Sequence, residues 1–280
     1  MLSCLDKIKR NTPHRPNSSP YITDITLLVD RSGSMYTMGD SVIQGVENFV
    51  KEQKNDLSEK KITIVSFDDQ KEIVPGFDNC NIHKSPEIDN SYFTPRGMTR
   101  LIDTSMEEIQ NQQKRKNQWY RKLPNQIKKL NPEYKNIFAL MTDGEDNKSI
   151  IYSSSDMKDY LHKLQKEKNI TCYFLGANQD AINTGNMYGF IPGNSLTYSN
   201  QPDTALKAIQ SLSNGVSRAI SGDHYIGFTK LQRQSSITSD FKNNKKIPNM
   251  KLKREKNVNF QTKKHLNNLR RSERIKNIKN

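Results

Sequence analysis

The chain has 280 residues, a formal net charge of +14 and only 33% apolar residues. That length holds one domain of about 200 residues with tails, or two small domains, and the low apolar share excludes a chain packed throughout. Cys4, Cys80 and Cys172 are widely spaced and form no CxxC pair, which excludes a disulfide framework and a zinc site and fits a reducing compartment.

Residues 1–20, ending in TPHRPNSSP, read as a flexible lead-in. Met1 to Arg10 alternates apolar and charged residues and lacks the apolar run of a signal peptide. No later stretch approaches the roughly 18 apolar residues of a membrane span, so a soluble intracellular protein is expected. Ile22 to Val29 is an apolar, β-branched run stopped by Asp30 and predicts a buried strand. Ser41 to Lys54 carries Val42, Val46, Phe49 and Val50 at helical spacing. Lys61 to Phe67 predicts a second strand. Asp68-Asp69-Gln70 suits a hairpin into Lys71 to Phe77, which Pro75 confines to a sheet edge. Gly97 introduces a helix with Ile102, Met106 and Ile109 on one face, followed by the basic stretch KRKNQWYRK, Lys114 to Lys122. Asn136 to Thr142 predicts a strand, Ser154 to Glu167 a helix, and Ile170 to Leu175 a strand. Asp180 to Tyr188 predicts a short helix, Ser195 to Tyr198 a short strand, and Asp203 to Ile220 a strongly amphipathic helix.

Strands apolar on both faces, alternating with helices, specify a parallel sheet covered on two sides. The expected fold is a doubly wound, Rossmann-like α/β domain over residues 21–228, with a mostly parallel six-stranded sheet. In such sheets ligands bind beyond the carboxyl ends of the strands. Three loops fall there. The first is Asp30-Arg31-Ser32-Gly33-Ser34, in which alternate residues can point the same way and Gly33 is expected to allow the bend. The second holds Gly97-Met98-Thr99, and the third is Thr142-Asp143-Gly144. Two carboxylates and three hydroxyls form a hard-oxygen set suited to octahedral magnesium that keeps some of its waters.

DRSGSM after a strand, GMT before a helix and ALMTDGEDN after a strand together resemble the three parts of the metal-ion-dependent adhesion site (MIDAS) of von Willebrand factor type A domains. The likeness covers roughly residues 21–220. It implies that Asp30, Ser32, Ser34, Thr99 and Asp143 are metal ligands and that the strand order is 3-2-1-4-5-6. It also implies a protein partner whose Asp or Glu completes the shell of a bound magnesium, with manganese and calcium as alternatives. TDGEDNKS and YFLGANQDA look like an intracellular subgroup of bacteria, phages and large DNA viruses, which implies a cytoplasmic, nuclear or, for a viral source, virion location.

Catalysis is not expected. A hydrolytic magnesium site usually gathers more carboxylates, and no GxxxxGK or GxGxxG occurs. The five histidines are scattered, and Cys172 reads as core. Asp68-Asp69 and Glu145-Asp146 read as solvated loop charges. Trp119 and Tyr120 among lysines and arginines could stack on a base, although packing at a helix rim is the plainer reading. Residues 242–280 hold fourteen Lys and Arg against Glu255 and Glu273, so residues 229–280 read as a disordered basic tail. The alternative function is therefore a nucleic-acid-associated or packaging protein acting through that tail.

Overall fold

The computed structural model describes residues 21–223 and 226–238, all within the unit that spans residues 1–241. The lead-in and the basic segment 242–280 lie outside the described residues.

Strand β1, Tyr21–Asp30, runs through the middle of the sheet and is buried almost throughout. Helix α1, Ser41–Lys54, follows, then β2, Lys60–Phe67, and the three-residue hairpin strand β3, Lys71–Ile73. Pro75 falls outside β3, because its missing N–H cannot continue the ladder. A two-residue strand β4, Cys80–Asn81, pairs antiparallel with β2 and is a seventh strand that the sequence pattern was too short to reveal. Helix α2 spans Leu101–Lys122 and absorbs the whole KRKNQWYRK stretch. A single turn, α3, Asn125–Lys128, leads to β5, Glu133–Thr142. Then come α4, Ser154–Lys166; β6, Thr171–Ala177; α5, Ala181–Tyr188; β7, Ser195–Tyr198; α6, Pro202–Ser221; and α7, Lys230–Ser235.

The sheet order is β3-β2-β1-β5-β6-β7. β2, β1, β5, β6 and β7 run parallel, and β3 is antiparallel to β2. Side chains of a strand alternate between faces, and two cores result. Ile25, Leu27 and Val29 face the core that contains Val46 and Phe49 of α1 and Ile209 and Leu212 of α6. Leu28, Phe138 and Phe174 face the core that contains Met106 and Ile109 of α2 and Leu161 of α4. The sheet is thus doubly wound, mostly parallel and flanked by helices. Cys172 is fully buried in the second core, which pushes its thiol up in pKa and leaves it unreactive.

Helix α7 lies within the stretch read as tail. Thr229 and Gln232 form a capping box at its start. The Arg233 guanidinium donates to the carbonyls of Pro192, Gly193 and Ser195, and Ser199 N–H donates to Ser236 O. These contacts hold a short polar helix that has no buried residue of its own, so periodicity could not have revealed it.

At the amino ends of the strands Asp24 is completely buried. Arg115 grips it through Nε at 2.8 Å and Nη2 at 3.1 Å, and Tyr134 Oη donates to it at 2.7 Å. Removing one partner of a buried pair leaves an uncompensated charge. Asp24→Ala is therefore expected to lower stability by about 3–5 kcal/mol, read as a shifted midpoint in urea denaturation.

Candidate functional site

The chain leaves β1 toward β2 on one side, while β5, β6 and β7 extend on the other, so the topology reverses between β1 and β5. Such a switch point is where an α/β sheet opens a crevice at its carboxyl edge. The last β1–β5 pair is Val29 with Met141. Asp30 and the Thr142-Asp143 turn therefore emerge next to each other.

Asp30 is 1% exposed. Its carboxylate accepts from Ser32 N–H at 2.7 Å and from Thr142 Oγ1 at 2.5 Å, and Thr142 Oγ1 in turn accepts from Gly144 N–H at 3.1 Å. Ser34 Oγ donates to Asp143 Oδ1 at 2.7 Å and lies 3.2 Å from Ser32 Oγ. A Cβ built on Gly144 would stand 3.3 Å from Thr99 Oγ1 and 3.9 Å from Ser34 Oγ, so both hydroxyls border that glycine. The structure thus brings the three predicted loops together, with Asp30, Ser32 and Thr99 buried, Asp143 half-buried and Ser34 exposed. Thr99 is not a helix cap: the N-cap position of α2 is Arg100 and has no side-chain cap bond.

Burial pushes Asp30 up to about 6, against the hydrogen bonds from Thr142 and Ser32. Burial likewise raises Asp143, opposed by the bond from Ser34. Among the described residues no Lys, Arg or His forms an ion pair with either carboxylate. Among those residues, too, no cluster of three or more His, Cys, Asp or Glu could hold a metal. The available donors are two carboxylates and three hydroxyls, a set whose chemistry suits a hard cation.

Arg31, one residue from Asp30, explains part of this arrangement. It continues the alternation of β1 and points away from Asp30, into a partly buried network with Asp68 at 3.0 Å and Glu72 at 2.8 Å, which the more exposed Arg96 shares. Asp68 is completely buried, so it is a structural ion-pair partner and not a solvated loop charge. Asp69 and Glu145 are exposed, as expected. Gly33 does not have a left-handed φ, and a Cβ there would make ordinary contact with Gly97 O at 3.8 Å. The glycine that the backbone does require is Gly97, with φ +67° and the Asp69 carboxylate where a Cβ would go.

The segment after Asp143 fastens the second loop to the third. Asn147 Oδ1 accepts from Thr99 N–H at 2.8 Å, and Asn147 and Lys148 N–H donate to Thr99 O. Asp146 Oδ1 accepts from Ile102 N–H, and Ser149 Oγ accepts from Asp103 N–H, so these side chains serve the orphan donors at the start of α2. Asp146 is therefore half-buried and engaged, contrary to the solvated reading. The buried Asp103 carboxylate accepts from the N–H groups of Ile150, Ile151 and Tyr152. Sequence reasoning missed two further residues: Asn200, whose Nδ2 reaches Asp143 Oδ2 at 3.5 Å, and Thr37, which donates to Asn200 Oδ1 at 2.7 Å.

A family model described as von Willebrand factor type A domain matches residues 24–212, more than half of the chain. No curated protein sequence matches it. Among solved structures it is similar to proximal thread matrix protein 1 from the mussel byssus, at 16% identity and TM-score 0.44 over 69% of this chain and 45% of that one. Another form of that protein, with a zinc-occupied MIDAS motif, matches at 15% identity and TM-score 0.42 over 68% and 44%. A von Willebrand factor type A structure from Catenulispora acidiphila matches at 14% identity and TM-score 0.42 over 70% and 42%. The chain spans less than half the length of these structures.

Two outcomes test the supports of the site. The Arg31 and Arg96 guanidiniums hold the Glu72 carboxyl down at about 2. A carboxyl depressed in the folded state contributes stability above its ordinary value near 4.5 and loses it as pH falls toward 2. Acid denaturation of Glu72→Gln should accordingly show a flatter decline than wild type between those pH values. Asp103→Ala should strip three backbone donors of a charged acceptor, each bond being worth about 1.5–3 kcal/mol. Faster hydrogen exchange at residues 150–152 would report it.

Proposed function

The chain belongs to the von Willebrand factor type A domain family, and from that premise we propose that it is a divalent-metal-dependent protein-binding module. In this reading Asp30, Ser32, Ser34, Thr99 and Asp143 hold the ion and a partner Asp or Glu carboxylate completes its shell. The observation that supports it best is the pair of desolvated carboxylates, Asp30 and Asp143, edged by three hydroxyls and given no cationic partner among the described residues. Burying a charge without a counter-charge is costly, and a hard divalent cation is the species that this oxygen set would offset it with. A cation bound there supplies an open coordination position that an external carboxylate can fill.

The chain's own residues do the rest. Asp30 brings full charge from the end of β1, oriented by Ser32 N–H and Thr142 Oγ1. Ser34 holds Asp143 in place, and the Asn147 clamp sets the depth of Thr99. Neutral hydroxyls in place of further carboxylates leave the ion a net positive charge, which is what makes an acidic partner attractive. Magnesium is the first expectation and manganese or calcium the alternatives. With two carboxylates in the site, we read it as binding and not catalytic. The partner is sought inside the cell, in line with the subgroup likeness of TDGEDNKS. The alternative, a nucleic-acid-associated or packaging role for residues 242–280, rests on residues outside the described part of the chain.

Affinity capture in Mg²⁺ should recover a partner that EDTA releases and Asp30→Ala fails to hold; capture indifferent to chelator would overturn the reading. A second measurement needs no partner. Mg²⁺ at 100 times its Kd should stabilise the wild type by about 2.7 kcal/mol. Asp30→Asn, which relieves the buried charge, should be at least as stable as wild type in EDTA and show no response to Mg²⁺ in thermal melts.

A further inference from the structure

At the edge of the sheet opposite the metal-site loops, β5 runs past β6. The first β5–β6 pair is Ile137 with Thr171, so Glu133 to Asn136 have β1 on one side and, among the described residues, no strand on the other. A cavity of about 380 Å³ occupies this step, within the range of about 300–1,000 Å³ of small-molecule sites. Its lining combines features that the metal-dependent function does not use. Trp119, the single tryptophan of the chain, forms one wall, its ring 5.2 Å from that of Tyr134. Lys116, Lys135 and Lys168 line the cavity with Glu133, and Glu167 lies beside them through its bond from Asn169. Asn136, 2% exposed, donates through Nδ2 to Asn169 O at 3.0 Å. That bond fixes the amide's orientation, since a carbonyl demands a donor, and leaves the buried Oδ1 without one. An unpaired buried acceptor is costly and marks a place that a ligand donor can fill.

The three features specify one ligand chemistry. Trp119 supplies a flat apolar face, Asn136 Oδ1 seeks an N–H donor, and the lysines favour an anion. We propose that this cavity binds a nucleotide. In that pose the base lies against Trp119 and donates an exocyclic N–H to Asn136 Oδ1, and the phosphate lies at Lys168, beside Lys116, whose Nζ also bonds Asn169 Oδ1; Lys135 turns to the opposite face of β5, to Ile220 O. Stacking on an aromatic ring is common to all bases, and the donor to Asn136 favours those with an amino group. The same chemistry is presented by a nucleoside phosphate and by one residue of a single strand.

Because Trp119 is the single tryptophan, its emission reports on this cavity in the full-length protein. The full chain is titrated with AMP, with a single-stranded adenine octanucleotide and with inorganic phosphate. Saturable quenching by AMP supports a free-nucleotide site, and quenching by the octanucleotide alone supports a strand-binding one. Lys168→Glu changes an exposed side chain and should raise the Kd by about tenfold. Absence of quenching by both nucleotide probes would overturn the proposal. So would equal quenching by phosphate, which needs no ring, or a Kd unmoved by Lys168→Glu.

Discussion

Two acidic side chains, Asp30 and Asp143, stand next to each other where the strand order reverses, and no cation of the described chain pairs with them. The rest of the carboxyl edge is built around holding that pair in place. Strand β1 shows how unusual this is, because it carries a second buried aspartate on the same face. Asp24 lies six residues earlier, roughly 20 Å away along an extended chain, and is closed by Arg115 and Tyr134. Asp30 has hydroxyls and N–H groups instead. These are partners that orient a carboxylate without neutralising it.

An arginine adjacent to Asp30 could have neutralised it. The two-residue period of an extended chain turns Arg31 to the opposite side, and Asp68, Glu72 and Arg96 keep it there. The backbone of the second loop is tied to the same network, since Arg96 N–H donates to Arg31 O and Arg100 N–H to Asp68 O. The ion-pair cluster therefore performs two tasks. It draws positive charge away from the site, and it lays the Thr99 loop alongside the Asp30 loop. Asn147, Asp146 and Ser149 do the matching work from the third loop by occupying the donors at the start of α2.

The two edges of the sheet thus present different chemistry. The carboxyl edge collects acidic and hydroxyl oxygens suited to a hard cation. The amino edge leaves a step beside β5 walled by an aromatic ring, lysines and an amide. Much of KRKNQWYRK is committed inward there: Arg115 to Asp24, Lys116 to Asn169 and Trp119 to Tyr134. The stretch is less a basic surface than one wall of that step.

Periodicity and turn chemistry made the architecture legible in the sequence, because buried parallel strands and amphipathic helices repeat at spacings that the chain displays directly. The helix Ser41–Lys54 and the strand Ser195–Tyr198 have the bounds their patterns implied. The three loops that carry the five oxygen-bearing residues were legible too: two follow β1 and β5, whose ends a parallel sheet must gather at one edge, and the third precedes helix α2. Tertiary structure alone decided what depends on side chains meeting from distant positions. Asp68 and Asp146 looked solvated in isolation, yet each is engaged by a partner from another element: Asp68 by Arg31 and Arg96, Asp146 by the start of α2. Helix α7 has no apolar stripe, and it is held by Arg233 on carbonyls some forty residues earlier. No local pattern encodes such pairings, because their energy appears only once the fold has brought both partners out of water.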